Sequence, residues 1–431
     1  MLKQIKQLGL IVLFTSVIFY AKAQDRTSSP YTRYGLGDLI TKNFGDSRAM
    51  GGTSLALHNG SKLYPANPAS YSSIDSLHFV MEAGISASVK EMSSNTNNLK
   101  HTTYDFNLDY LSFGFPVTNW WGASFGLVPY SNVSYHVITS DYSLGLPRDY
   151  HYQGEGGINQ AFIGSSFEPI NNVSIGFNVN YLFGNIHQLN AVNFADSIAY
   201  GMVDIIEEKF LYFNNFYVSG GIHYNYNVSD NHHFTLGLAC DINTVLNVNR
   251  TYLATSALSS NPGIITDTLE HNIKEQGEIN LPINIGGGLA YHYKDVLTLA
   301  TDFRYQDWSN ASIFGEQDSL GAEQRFSLGV EYIPDGKNSP TIKYRRNIRY
   351  RMGAFFNDTY LEFDQGNTKV NNFGISFGLG LPLKRSNTTF NISLELGQRG
   401  SLKNNLVKEN YAVLGVNFSL ADIWFIKHKY E

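Results

Sequence analysis

Few residues in this chain are spaced for chemistry on a substrate, and those few lack the neighbours that chemistry needs. A serine hydrolase holds its nucleophile against a histidine, commonly on a Gly-x-Ser-x-Gly turn. The pattern occurs at Gly122–Gly126 and Gly374–Gly378, but there it lies within alternating strand runs and not on a strand-to-helix turn, and the nearest run that pairs a His with a Ser is His58-Asn59-Gly60-Ser61. His232 and His233 are adjacent, so in extended chain they point to opposite faces and share no metal. Asp358, Glu362 and Asp364 lie close together without the ligand spacing of a calcium loop, and read as solvated loop charge. Gly35-x-Gly37 and Gly378-x-Gly380 lack the strand-turn-helix setting of a phosphate cradle. These residues make no enzyme, and they call for no metal and no cofactor. What remains is charge. Arg345, Arg349 and Arg351 share one parity, and Asp302, Glu331 and Glu395 stand on neighbouring segments. Such arginines suit either a carboxylate headgroup or an internal salt-bridge network. The network is favoured, because buried charge without a partner is costly.

The elements that would position those charges are strands. Phe373, Ile375, Phe377, Leu379 and Leu381 are interleaved with Gly374, Ser376, Gly378 and Gly380; Phe390, Ile392, Leu394 and Leu396 alternate with Asn391, Ser393, Glu395 and Gly397. A period of two puts one set on each face. About fourteen such segments follow residue 75, near 77–91, 103–117, 120–138, 157–168, 172–188, 209–228, 232–250, 272–293, 296–309, 323–334, 342–357, 370–382, 388–400 and 409–420. Their connections alternate. Met92–Thr102, Thr139–Gly156, Leu189–Glu208, Thr251–His271, Asn310–Ala322, Asp358–Lys369 and Ser401–Lys408 are long and polar, and short turns such as Thr118-Asn119 and Lys294-Asp295 lie between them. The rhythm predicts an all-β transmembrane barrel of about fourteen antiparallel strands, with long loops outside and short turns in the periplasm. An even strand number then puts both termini in the periplasm of a Gram-negative bacterium. Phe326, Leu328 and Tyr332 would face lipid, as would Tyr350 and Met352, and the arginines and acids would face the lumen. Trp120, Trp121, Tyr130, Trp308 and Trp424 suit interfacial aromatic girdles. In 103–117 the parity changes from Phe106 and Leu108 to Leu111, Phe113 and Phe115, which predicts a bulge between them.

Composition agrees with a barrel in which only alternate residues meet lipid. The chain has 431 residues, 14% aromatic, a single cysteine (Cys240) and a net charge of −6, and its mean hydropathy is −0.20. The acidic balance and the absence of a basic-aromatic cluster argue against nucleic acid. Lys3 and Lys6, the apolar run Leu8–Tyr20 and Ala21-Lys22-Ala23 read as a signal peptide over 1–23. Residues 24–75 do not alternate, are rich in small residues and carry Leu39, Ile40, Phe44, Leu55 and Leu57. A barrel of this size leaves a lumen for them to fill. The segment reads as a plug, against a flexible tail as the alternative, and the barrel takes up 76–431.

Within it, Gly45-Asp46-Ser47-Arg48-Ala49-Met50-Gly51-Gly52-Thr53-Ser54-Leu55-Ala56, followed by Asn67-Pro68-Ala69-Ser70, resembles the N-terminal signature of the FadL/TodX outer-membrane transporters. Gly126–Tyr130, and Leu281-Pro282 leading into Gly286–Tyr291, add weaker likenesses. The resemblance implies a plugged fourteen-stranded barrel for passive uptake of fatty acids or other hydrophobic compounds. These would rest in an apolar pocket above the plug and leave sideways into membrane lipid through a gap at a kinked third strand. Release there avoids an aqueous crossing that costs about 0.8 kcal/mol per CH₂. Carried over, Arg48, Gly51, Gly52, Asn67, Pro68 and Ala69 are plug residues, and the kink falls at Pro129 and Tyr130. Proline there marks either a bulge or merely the end of regular strand. His58–Lys62 replaces the family's small-acidic stretch, and the second proline of the eighth-strand motif is missing. Ser29–Asp38 and Trp424–Lys427 are further departures. They fit an alternative in which a FadL-like barrel is a non-transporting subunit of an outer-membrane assembly or secretion complex.

Overall fold

A computed structural model describes residues 29–95, 99–142, 147–194, 203–258, 261–313, 316–317, 320–336, 344–363, 368–383 and 388–423. The signal peptide, Asp364 and the tail at Trp424 lie outside them. Fourteen antiparallel strands close into one barrel: β1 His78–Ser93, β2 Lys100–Thr118, β3 Trp121–Asp141, β4 Arg148–Ile170, β5 Val173–Phe194, β6 Val203–Ser229, β7 His232–Asp241 continued by Thr244–Leu258, β8 Asn261–Leu281 continued by Asn284–Tyr293, β9 Leu297–Asp307, β10 Ala322–Tyr332, β11 Arg349–Phe363, β12 Thr368–Pro382, β13 Thr389–Arg399 and β14 Lys408–Ile423. Each pairs with its neighbours in sequence, and β14 closes on β1 through Lys408↔Ser93 to Ile423↔His78. No helix among the described residues is long and apolar enough to cross a membrane.

The alternation places the side chains as expected. Phe373, Ile375, Phe377 and Leu379 are exposed on the outer wall, and Ser376 between them is fully buried. Phe326, Leu328, Tyr350 and Met352 likewise face out. An apolar outer band over a polar, filled interior is the design of an outer-membrane β-barrel.

Several boundaries differ from the sequence reading. The seventh and eighth strands are each broken, at Ile242-Asn243 and at the facing Pro282-Ile283, where Pro282 gives the ladder no N–H. β8 begins at Asn261, inside the expected loop Thr251–His271, and pairs with β7 up to Asn261↔Leu258. β6 runs for 27 residues, against about 9–11 needed to cross a bilayer, so β3–β8 form a tall wall at the long-loop end. Arg345 lies in a one-turn 3₁₀ segment, Tyr344–Arg346, exposed in the turn before β11. Trp308 is buried among lumenal apolar groups, and Tyr130 lies inside as well, so neither belongs to a girdle.

The bulge in β2 is present. Gly84 pairs with Tyr110 and Ile85 with Leu108, so Asp109 is the extra residue. It turns inward beside Tyr110, and the outward set shifts from Leu108 to Leu111.

Candidate functional site

The lumen holds the segment from Ser29 to Asp75, made of single turns: a 3₁₀ turn Pro30–Arg33, a two-residue strand Asp38–Leu39, one α-turn Gly45–Arg48 and a 3₁₀ helix Pro68–Ser73. It begins at the long-loop end, where Ser29 Oγ donates to Glu409 at 2.5 Å and Tyr31 Oη donates to the Val407 carbonyl at 2.6 Å. It leaves at the short-turn end into β1. The Arg48 guanidinium donates to Asp109 at 2.7 Å. Gly51 and Gly52 take positive φ of 70° and 89°, a conformation that favours glycine. The turn they make aims Gly51 N–H at Ser376 Oγ, 2.8 Å away. Asn67 caps the 3₁₀ helix through the Ala69 N–H and ties it back to the Leu55 carbonyl at 2.7 Å; Ser166 Oγ donates to the Ala69 carbonyl. Asp302 accepts the N–H groups of Ser54 at 2.6 Å and Leu55 at 2.9 Å.

The wall is shaped for this chain by inward glycines. A Cβ on Gly353 would stand 2.1 Å from Gly51 N, one on Gly176 2.4 Å from the Pro68 carbonyl carbon, and one on Gly237 1.9 Å from the Leu55 carbonyl oxygen. In register, Gly176 opposes Gly221, Gly237 opposes Gly288 and Gly329 opposes Gly353. Plug backbone therefore lies directly on wall backbone around much of the circumference. Side chains lock the same layer. Lys62 Nζ donates to Asp46 at 2.5 Å, and Tyr64 Oη donates to Asp46 at 2.7 Å. Burial lowers the Lys62 ammonium, with Asp46 opposing. Burial would raise Asp46, but Lys62 and Arg351 outweigh it and hold the carboxyl below its usual range.

The structure brings only some of the inward charges together. Arg351 Nε donates to Glu331 at 2.7 Å, and Arg351 Nη1 donates to Asn391. Asp302 serves the plug backbone instead, Glu395 acts on Arg48, and Arg345 is outside altogether. Arg349 heads β11 with a buried Nη1.

Above this layer the apolar lumen is filled. Tyr31 and Leu36 of the plug pack with Val133, Leu182, Phe213, Leu246, Ile279, Trp308 and Leu361 in one buried cluster. Below that cluster a cavity of about 80 Å³ remains, lined by Lys42, Asp241, Arg304, Glu323, Arg325 and Tyr217 among others. Pockets for drug-sized apolar ligands run from about 300 to 1,000 Å³.

Pro129 and Tyr130 lie in the third strand. Pro129 pairs with Asn159 and Ser131 with Ile158, which leaves Tyr130 as a bulge. The pairing of β2 with β3 ends at Leu111↔Leu127. Beyond it β3 turns inward and pairs with the plug, Asp38↔Asn132 and Leu39↔Ser131. Backbone bonds from Ile40 N–H to the Tyr130 carbonyl (2.9 Å) and from Ser29 N–H to the Ser134 carbonyl (3.0 Å) extend that edge. Asp38 is clamped by Arg399, and the Gly37 carbonyl by Tyr360 Oη. A seam thus separates the upper halves of β2 and β3. Nothing in the sequence reading placed the plug as the partner of β3, since two residues carry no periodicity.

The chain is thus a closed fourteen-stranded barrel with its own leading segment in the lumen. Solved structures of that form resemble this chain: the toluene transporter TodX of Pseudomonas putida (15% identity, TM-score 0.56, covering 90% of this chain and 100% of that one), a FadL homologue of Pseudomonas aeruginosa (11%, 0.57, 89% and 98%) and the CymD monoaromatic hydrocarbon channel (13%, 0.53, 90% and 100%). At these identities the likeness is one of fold. The chain itself belongs to the BamG family, whose model matches residues 1–431, a family distinct from FadL. No curated protein matches it.

Proposed function

We propose that this protein is a stoppered outer-membrane barrel that serves as a subunit of an outer-membrane complex, with no passage through its lumen. The observation that carries this reading is the filled lumen: plug backbone seated on wall glycines, a packed apolar cluster above, and a cavity of about 80 Å³ in which Lys42, Asp241, Arg304, Glu323 and Arg325 stand beside Leu39, Ile40 and Leu281. In this reading residues 24–75 are the plug and 76–431 the barrel, with the long loops outside and the barrel's first and last strand ends in the periplasm. Arg48, Gly51, Gly52, Asn67, Pro68 and Ala69 seat the plug, and Arg351 with Glu331 is structural charge pairing instead of a headgroup site.

A second reading rests on the seam. Pro129 and Tyr130 stand where β3 leaves β2, so a fatty acid or other hydrophobic compound could leave sideways there into membrane lipid. The two readings separate when the gene is deleted. Loss of a native-gel complex with unchanged growth on long-chain fatty acids supports the subunit. Loss of that growth with the complex absent from both strains supports transport.

A further inference from the structure

The seam has two lips, and only one is covered. On the β3 side, Asp38–Leu39 adds as a strand and Ser29 and Ile40 donate to the same edge. On the β2 side, Lys100–Tyr110 pairs with β1 alone. Among the described residues, the hydrogen bond this half-strand's backbone makes beyond the β1 ladder is Phe106 N–H to its neighbour Asp105, at 2.9 Å. The exposures register the missing neighbour: Tyr104, Phe106 and Leu108 are 67%, 65% and 60% exposed, against 44%, 39% and 42% for Ile375, Phe377 and Leu379 on the doubly flanked β12.

The Phe106–Leu108 part of this lip lies in the apolar band, since Leu108 pairs with Ile85 and Phe106 with Ala87. Open sheet edges do not persist in hydrocarbon, because lipid offers backbone groups no hydrogen bonds. An acyl chain or an aromatic hydrocarbon offers none either. A strand offers both donors and acceptors at the right spacing, and adds to an edge by main-chain pairing. Asp105 adds a sign. Its carboxylate holds Phe106 N–H and Asn107 Nδ2, with no cation within salt-bridge distance among the described residues. A strand lying alongside with a Lys or Arg at that level would complement it. A second copy of this chain, laid antiparallel in the register centred on residue 105, would bring Asp105 against Asp105.

Resting on the subunit reading above, we propose that the free lip of β2, Lys100–Tyr110, is the docking edge for a membrane strand of a partner outer-membrane protein, apolar toward lipid and basic opposite Asp105. The test uses the full chain in its native membrane, with the photoreactive p-benzoylphenylalanine at Phe106 and, as control, at Phe377. Irradiation is expected to give one protein adduct from position 106 and none from 377, mapping to a membrane strand that carries Lys or Arg. Asp105→Lys should cut its yield about tenfold or more. Tyr104→Pro should do the same by removing an edge N–H, with heat-modifiable gel mobility reporting that each variant still folds. An adduct to a second copy of this chain, an adduct indifferent to both substitutions, or none at all overturns the proposal. If the native-gel complex persists without the adduct, docking occurs elsewhere and the subunit reading stands; if no complex forms, that reading fails as well.

Discussion

The guanidinium of Arg48 meets the carboxylate of Asp109 at 2.7 Å, and Asp109 is the residue by which β2 exceeds its partner at the bulge. The plug is thus pinned at the level where β2 and β3 begin to part. Ser86 Oγ donates to the other carboxylate oxygen, so the bulged acid is held from both sides. Removing Arg48 leaves that acid largely buried without its cation. Arg48→Ala should destabilise the folded barrel by about 3 kcal/mol, measured by urea unfolding in lipid vesicles. The Arg48→Ala/Asp109→Ala double variant should recover part of the loss.

Wall glycines differ by what lies over them. A Cβ on Gly353 would strike the plug at Gly51 N, 2.1 Å away, whereas the nearest atom to one on Gly287 is 3.5 Å off. Gly353→Ala should unseat the plug and sensitise cells to large antibiotics. Gly287→Ala should be neutral or stabilise by up to about 1 kcal/mol.

Asp302 is the sole acceptor shown for two buried plug amides, Ser54 and Leu55. Asp302→Ala should cost about 1–3 kcal/mol for each amide left unpaired. Limited proteolysis should then clip the chain near Ser54, a cut the native protein resists.

Leu39 and Ser131 are cross-strand neighbours beside the Ile40–Tyr130 backbone bond, where Cα atoms approach to roughly 4.5–5.5 Å. The pair Leu39→Cys/Ser131→Cys should oxidise to a disulfide and leave the native-gel complex unchanged. A complex lost on oxidation and restored by reductant would mean that the plug must leave β3 to work.

Much of this was legible because lipid imposes alternation. Phe373–Leu381 and Phe326–Tyr332 show their faces directly, and the parity change in β2 announced a bulge before any residue could be assigned to it. The same signal fails where lipid is absent. The outer parts of β7 and β8 keep no strict alternation, with Ala254, Thr255, Ser256 and Ala257 buried in succession, so Thr251–His271 read as a loop. Arg345 keeps the parity of Arg349 and Arg351, and a period of two cannot tell the end of a turn from the start of a strand. The plug residues Arg48, Gly51, Gly52, Asn67, Pro68 and Ala69 were found by motif. Their seat was not, because wall glycines such as Gly176 and Gly353 look like any small lumen-facing residue until a partner lies on them. Pro282 was noticed without its consequence, the break in β8 that faces the break in β7.

On the subunit reading nothing hydrophobic passes through this barrel, and uptake of a radiolabelled long-chain fatty acid decides between that and transport. Cells lacking any other importer should take up the label at one rate whether or not they make this protein. Saturable uptake that depends on the protein, and that falls when the Leu39–Ser131 disulfide is closed, would contradict the account.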